Sequence, residues 1–151
     1  MKRAIAVFLL TVFCSFPTAL KAEEAHHEHE NKVSPKGGRV LEGTEPLAEF
    51  YLEKDRTATI TFYDDEMKPI PAAEQSVTVI ADSEGNRATI EFQKKGDVLV
   101  SNGTFPSTND AGLVIQFRQD AQAKPKNFRF SLNENICPEC KRAEYGCICG
   151  H

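Results

Sequence analysis

Residues 48–63, Ala48-Glu49-Phe50-Tyr51-Leu52-Glu53-Lys54-Asp55-Arg56-Thr57-Ala58-Thr59-Ile60-Thr61-Phe62-Tyr63, carry the pattern that decides the fold. Ala48, Phe50 and Leu52 alternate with Glu49, Tyr51 and Glu53, and Ala58, Ile60 and Phe62 alternate with threonines and Tyr63. A period of two places one set of side chains on a core face and the other toward solvent, which is the pattern of half-buried strands. Between the two runs, Lys54-Asp55-Arg56 is short and polar enough to turn the chain back, so the segment predicts a β-hairpin.

Working outward, the same period recurs at residues 77–81, 88–93, 98–101, 113–118 and 128–132. Asp82-Ser83-Glu84-Gly85-Asn86 and Lys94-Lys95-Gly96-Asp97 supply hairpin connections, because glycine and asparagine tolerate the positive φ of tight turns. Met67-Lys68-Pro69-Ile70-Pro71 is a loop or an edge, since proline donates nothing to a central ladder. Residues 102–112, rich in Gly, Pro, Ser, Thr and Asn, form the longest loop of the domain. No segment has a long helical period. The expectation is an all-β fold: an antiparallel β-sandwich of about seven to eight strands, immunoglobulin-like or cupredoxin-like, over residues 37–132. Its predicted core is Phe50, Leu52, Ile60, Phe62, Val77, Val79, Ile90, Phe92, Ile115, Phe117, Phe128 and Phe130. Burial of each such side chain contributes about 1.5–3 kcal/mol, enough for a dozen to hold a domain without a metal or disulfide.

Both ends of the chain differ from this middle. Residues 1–22 open with Lys2 and Arg3, continue through an apolar run at 4–16, and finish in Pro17-Thr18-Ala19-Leu20-Lys21-Ala22. That is the form of a secretory signal peptide, and the run is short of the ~20 apolar residues of a membrane span. Cys14 lies within it, behind the bulky Phe13 rather than the small residue of a lipoprotein site. The expected product is periplasmic or secreted and does not span a membrane after cleavage. Removing Lys2, Arg3 and Lys21 from 18 basic residues leaves 15 against 22 acidic ones, a net charge of −7. Such a balance excludes nucleic acid and anionic membrane as expected partners, since both need a basic patch. Residues 23–36 form an arm rich in His and Glu with nothing apolar to bury.

The densest chemistry lies in residues 133–151, where Cys137, Cys140, Cys147 and Cys149 are followed by His151. C-x2-C is the commonest way to give two thiolates to one zinc ion, and the C-x-C pair six residues on supplies two more. Thiolates are soft ligands, so both Zn and Cu(I) suit this segment. The short connection predicts a shallow, exposed site. Four cysteines in an exported chain equally allow three disulfide pairings, with a bond inside C-x-C disfavoured by its strained ring. A redox role for Cys137 and Cys140 is a third reading, without the βαβ context that thioredoxin-like enzymes provide. On the arm, His26, His27 and His29 are further candidate ligands, interleaved with glutamates that concentrate cations.

Other motifs are weaker. Asp64-Asp65-Glu66 reads better as a solvated turn than as a calcium site, and Asn102-Gly103-Thr104 fits a glycosylation sequon. No nucleophile with a paired base, phosphate-cradling loop or carboxylate dyad stands out, so the chain is expected not to be an enzyme.

The order of a histidine-rich leader, Pro35-Lys36-Gly37-Gly38-Arg39-Val40-Leu41-Glu42, a strand pair and Asp64-x-x-Met67-Lys68-Pro69 resembles the periplasmic N-terminal region of heavy-metal efflux (RND-type) adaptor proteins. The likeness covers residues 26–70. Lys36 stands where the adaptors often carry a histidine, and there is no long helical hairpin and no room for their later barrel domains. The resemblance implies a small exported relative of the metal-sensing domain, with a metal-efflux or metal-delivery protein as partner. It does not account for the cysteine tail.

Overall fold

Alternating apolar side chains become nine antiparallel strands in the computed structural model, which describes residues 33–149. They are β1 Arg39–Leu41, β2 Leu47–Leu52, β3 Ala58–Tyr63, β4 Pro69–Ile70, β5 Ser76–Ser83, β6 Asn86–Lys95, β7 Val98–Ser101, β8 Ala111–Arg118 and β9 Lys126–Leu132. The only helical element among the described residues is a single 3₁₀ turn, Glu144–Gly146.

The strand order is β1-β2-β3-β7-β6-β5-β8-β9, with β4 paired to β3 beside β7. Strand β6 links two layers: its first half pairs with β5, and its second half with β7. The two faces of the predicted sandwich are therefore one continuous path that curls into a nearly closed barrel. At the seam the unpaired edges of β1 and β9 meet through side chains, the Arg39 guanidinium lying 5.6 Å from the Phe130 ring centre.

Local chemistry explains the hairpins. Phe50 pairs with Ile60 and Leu52 with Ala58, so the alternation of residues 48–63 folds back on itself in the expected register. Ser83 pairs with Asn86 across Glu84 (φ 54°) and Gly85 (φ 83°), a two-residue turn whose paired positive φ angles match strand twist. Phe50, Ile60, Phe62, Val79 and Ile115 are fully enclosed. Phe92, Phe128 and Phe130, expected inside, are only partly buried and pack against the margin of the core. Their strands lie where the sheet bends and where it ends, so one side of each ring stays open.

The outer face of the β2–β3 hairpin departs from expectation. Glu49, Thr59, Thr61 and Tyr63 alternate with core residues yet are buried. Part of the cause is the turn before β1. Gly38 N–H donates to Glu49 Oε1 at 2.7 Å, and the Tyr63 hydroxyl donates to Glu49 Oε2 at 2.7 Å, which compensates the enclosed carboxylate.

Candidate metal centre

After β9 the chain does not leave the barrel. Tyr145 N–H donates to Asn133 O at 2.9 Å and Glu144 N–H to Asn135 O at 2.8 Å, so residues 143–145 run back along the segment that follows β9. Cys137-Pro138-Glu139-Cys140 makes the reversal. Cys137 N–H donates to Arg142 O at 2.8 Å, Lys141 N–H donates to Cys137 O at 3.0 Å, and Ile136 bridges Ala143. Lys141 takes the left-handed conformation (φ 60°) that closes this knuckle. The 3₁₀ turn then delivers Cys147 and Cys149 to the same place.

One ligand atom from each of Cys137, Cys140, Cys147 and Cys149 lies within 4.8 Å of all the others. Cys140 Sγ is 3.7 Å from Cys147 Sγ, and Cys137 Sγ is 3.9 Å from Cys149 Sγ. Four sulfurs held at ~2.3 Å in a tetrahedron are spaced by about 3.8 Å, so these separations fit the edges of a zinc–thiolate site. They are well beyond the ~2.05 Å of a disulfide bond. None of the four cysteines is in disulfide linkage.

The environment is set up for thiolates in part. The backbone N–H of Arg142, and more weakly that of Ile148, donate to the Cys140 sulfur and hold its thiol below its ordinary value. Cys149 N–H reaches the Cys147 sulfur at 3.4 Å and favours its thiolate, but removal from water and the sulfurs of Cys137 and Cys140 leave that thiol raised. Cys149 is pushed up further, by loss of water first and then by the Glu139 carboxyl and the neighbouring sulfurs. Four negative sulfurs this close cannot all ionise without a compensating cation, and a bound metal ion would supply one.

Burial is uneven. Cys137 is fully enclosed at 0 % exposure, while Cys140, Cys147 and Cys149 are partly buried. The expected shallow site thus has one deep corner. It is also fastened to the β-domain, which the spacing of the cysteines does not reveal. Tyr145 is 5 % exposed, its ring stands edge-on to Phe50 with centres 6.1 Å apart, and its hydroxyl accepts the Leu52 N–H at 3.2 Å. The Arg142 guanidinium donates to Ser34 O at 3.2 Å and Ser34 Oγ at 3.3 Å. Gly146 sits so close to the turn before β1 that a Cβ there would lie 2.6 Å from Gly37 O. The only sequence signal for these anchors is the aromatic and small pair Tyr145-Gly146 inside an otherwise polar ligand loop.

His26, His27, His29 and His151 lie outside the described residues. The Asp64-Asp65-Glu66 turn is explained locally: Asp64 Oδ1 accepts the N–H groups of Glu66 and Lys68, both at 2.9 Å. Among the described residues no helix is long and apolar enough to cross a membrane. Comparison with known proteins gives no match, neither to a family model nor to a curated protein nor to a solved structure. Fold and site together define the class: an all-β chain with four clustered cysteines able to bind a metal ion.

Proposed function

We propose that this protein is an exported metal-binding protein, periplasmic or secreted, which holds one Zn²⁺ or Cu(I) ion through Cys137, Cys140, Cys147 and Cys149 and works in metal sequestration, delivery or resistance. The sulfur spacings of 3.7 and 3.9 Å carry this reading, and a four-sulfur tetrahedron favours zinc of the two ions. Four protein ligands close the coordination sphere, whereas catalytic zinc keeps a position open, which supports a binding role over an enzymatic one. Cys140, Cys147 and Cys149 are only partly buried, which suits access of an exchanging ligand to the ion. His151 and the arm residues His26, His27 and His29 are additional donors for capture or transfer. The leader of residues 1–22 supports export, and the likeness of residues 26–70 to efflux adaptors points to a metal-efflux or metal-delivery protein as partner.

Elemental analysis of the chain purified without oxygen tests the proposal, with about one metal equivalent expected. The double substitution Cys140→Ser and Cys147→Ser removes one sulfur from C-x2-C and one from C-x-C, the two that lie 3.7 Å apart, and its zinc binding is expected to fall sharply. Equal metal content in parent and double mutant overturns the proposal.

The same proximity suits a second reading, in which cross-linked cysteines clip the tail of an interaction module in an oxidising compartment. Thiol counting separates the two. Four thiols alkylated only after a chelator is added support coordination, and four blocked thiols without metal support the clip.

A further inference from the structure

Two contacts join the ligand loop to the turn at residues 34–38, and both come from between the second and third cysteines. Gly146, next to Cys147, lies backbone-to-backbone on the turn, with no room for a Cβ beside Gly37 O (2.6 Å) or Gly38 O (2.8 Å). Arg142, two residues after Cys140, grips Ser34 through O and Oγ. Ser34 is 1 % exposed and its Oγ donates to Gly38 O at 2.9 Å. Gly38 in turn is bound to Glu49 on β2 and has Phe50 O 2.1 Å from where its own Cβ would stand. The turn at residues 34–38, where the His/Glu-rich stretch of the sequence ends, is therefore clasped between the cysteine loop and the sheet.

Resting on the reading of the four cysteines as a metal centre, we propose that the site is a metal-operated latch on the root of that arm. With the ion bound, the loop from Cys140 to Cys147 is fixed by ligands at both ends, and Arg142 and Gly146 hold the turn at residues 34–38. Without it, Cys140 and Cys147 keep only their sulfur contact, the loop is held chiefly at Tyr145, and the turn is left with its internal Ser34 bonds and its bonds to Glu49. Coupling of this kind is reciprocal: a partner that draws the arm from its root weakens metal binding by the factor by which the metal weakens that partner's grip, typically ~5–150-fold. A partner engaging the arm thereby promotes release of the ion.

Hydrogen exchange on the full exported chain, loaded with Zn²⁺ or stripped by a chelator, tests the latch. The amides of Lys36, Gly37 and Gly38 are expected to exchange about tenfold or more faster in the stripped protein, while Val79 and Ile115 in β5 and β8 keep their protection. Arg142→Gln leaves all four sulfurs and the glycine contact in place, and its zinc affinity is expected to fall within the ~5–150-fold range of such couplings, with accelerated exchange at residues 36–38 even when zinc is bound. Gly146→Ala should do the same more strongly, and Arg142→Gln serves if that variant fails to fold. Zinc binding with unchanged exchange at residues 36–38 and unchanged affinity in Arg142→Gln overturns the latch and leaves the metal centre standing. A chain that binds neither zinc nor copper overturns both.

Discussion

Glu49 shows what a single residue can hide from a pattern. Its place in the alternation puts it on the solvent side of β2, yet it is 1 % exposed and accepts from Gly38 N–H and the Tyr63 hydroxyl. Period two reports which face a side chain joins, not what later covers that face, and the cover here includes a turn reached through tertiary contact. Tyr63 records the consequence. Burial first, then its bond to Glu49 and the carboxylate charge, push the phenol well above its ordinary value of 10.0. Tyr145 is raised as well, chiefly by burial. A raised folded-state pKa means that below pH ~10 both states keep the proton and the stability is intact. Above it the unfolded chain releases protons that the folded chain retains, and stability falls as pH rises. Denaturant unfolding between pH 8 and pH 11 should show that decline, with a shallower slope in Tyr63→Phe. An unchanged slope in the variant would remove Tyr63 from the account.

At the scale of elements, legibility follows how local the cause is. The β2–β3, β5–β6 and β6–β7 hairpins were readable because alternation and turn residues sit together in sequence. Strand β1, of three residues, and β4, of two, are too short to show a period and exist through their pairing with β2 and β3. The sharing of β6 between two layers has no marker in its composition. Period alone puts Phe128 and Phe130 inside, but β9 ends the sheet and leaves them half-covered. The sequence places Arg56 only in a turn, whereas its guanidinium joins Glu134 and Pro106 O and its carbonyl accepts Phe105 N–H at 2.8 Å, tying the hairpin to the long loop and to the start of the tail. Arg56→Ala should therefore destabilise by about 1–3 kcal/mol, the range for charged hydrogen bonds in partly buried sites. The β5–β6 turn gives a sharper local test. Gly85 at φ 83° has open space around it, so Gly85→Ala meets no clash and isolates the backbone term, expected to cost about 1–2 kcal/mol in urea unfolding.

For the whole molecule, the question is whether the cysteine segment decorates a barrel or completes one. Cysteine spacing made the cluster legible, and the sulfurs do converge. The docking was not legible, because Tyr145 is a lone aromatic in a polar stretch and its partners Phe50 and Leu52 lie more than ninety residues away in sequence. Its ring belongs to the same core cluster as Phe50 and Leu132. Removing it in Tyr145→Ala should cost about 3–5 kcal/mol by analogy with other buried aromatics, and would also orphan the Leu52 N–H. Metal binding and fold stability are then linked, since the ligand loop carries Tyr145 and an ion that binds only the folded arrangement stabilises it by mass action. At a hundredfold excess over the dissociation constant that effect is about 2.7 kcal/mol. Thermal unfolding of the reduced chain should accordingly shift upward with added zinc and return with chelator, while the variant carrying Cys140→Ser and Cys147→Ser shows little response to either. A parent chain whose unfolding temperature ignores zinc at concentrations that fill the site would mean that the unfolded chain holds the ion as tightly as the folded one, so that the ion adds nothing to the fold. The barrel would then be complete on its packing alone.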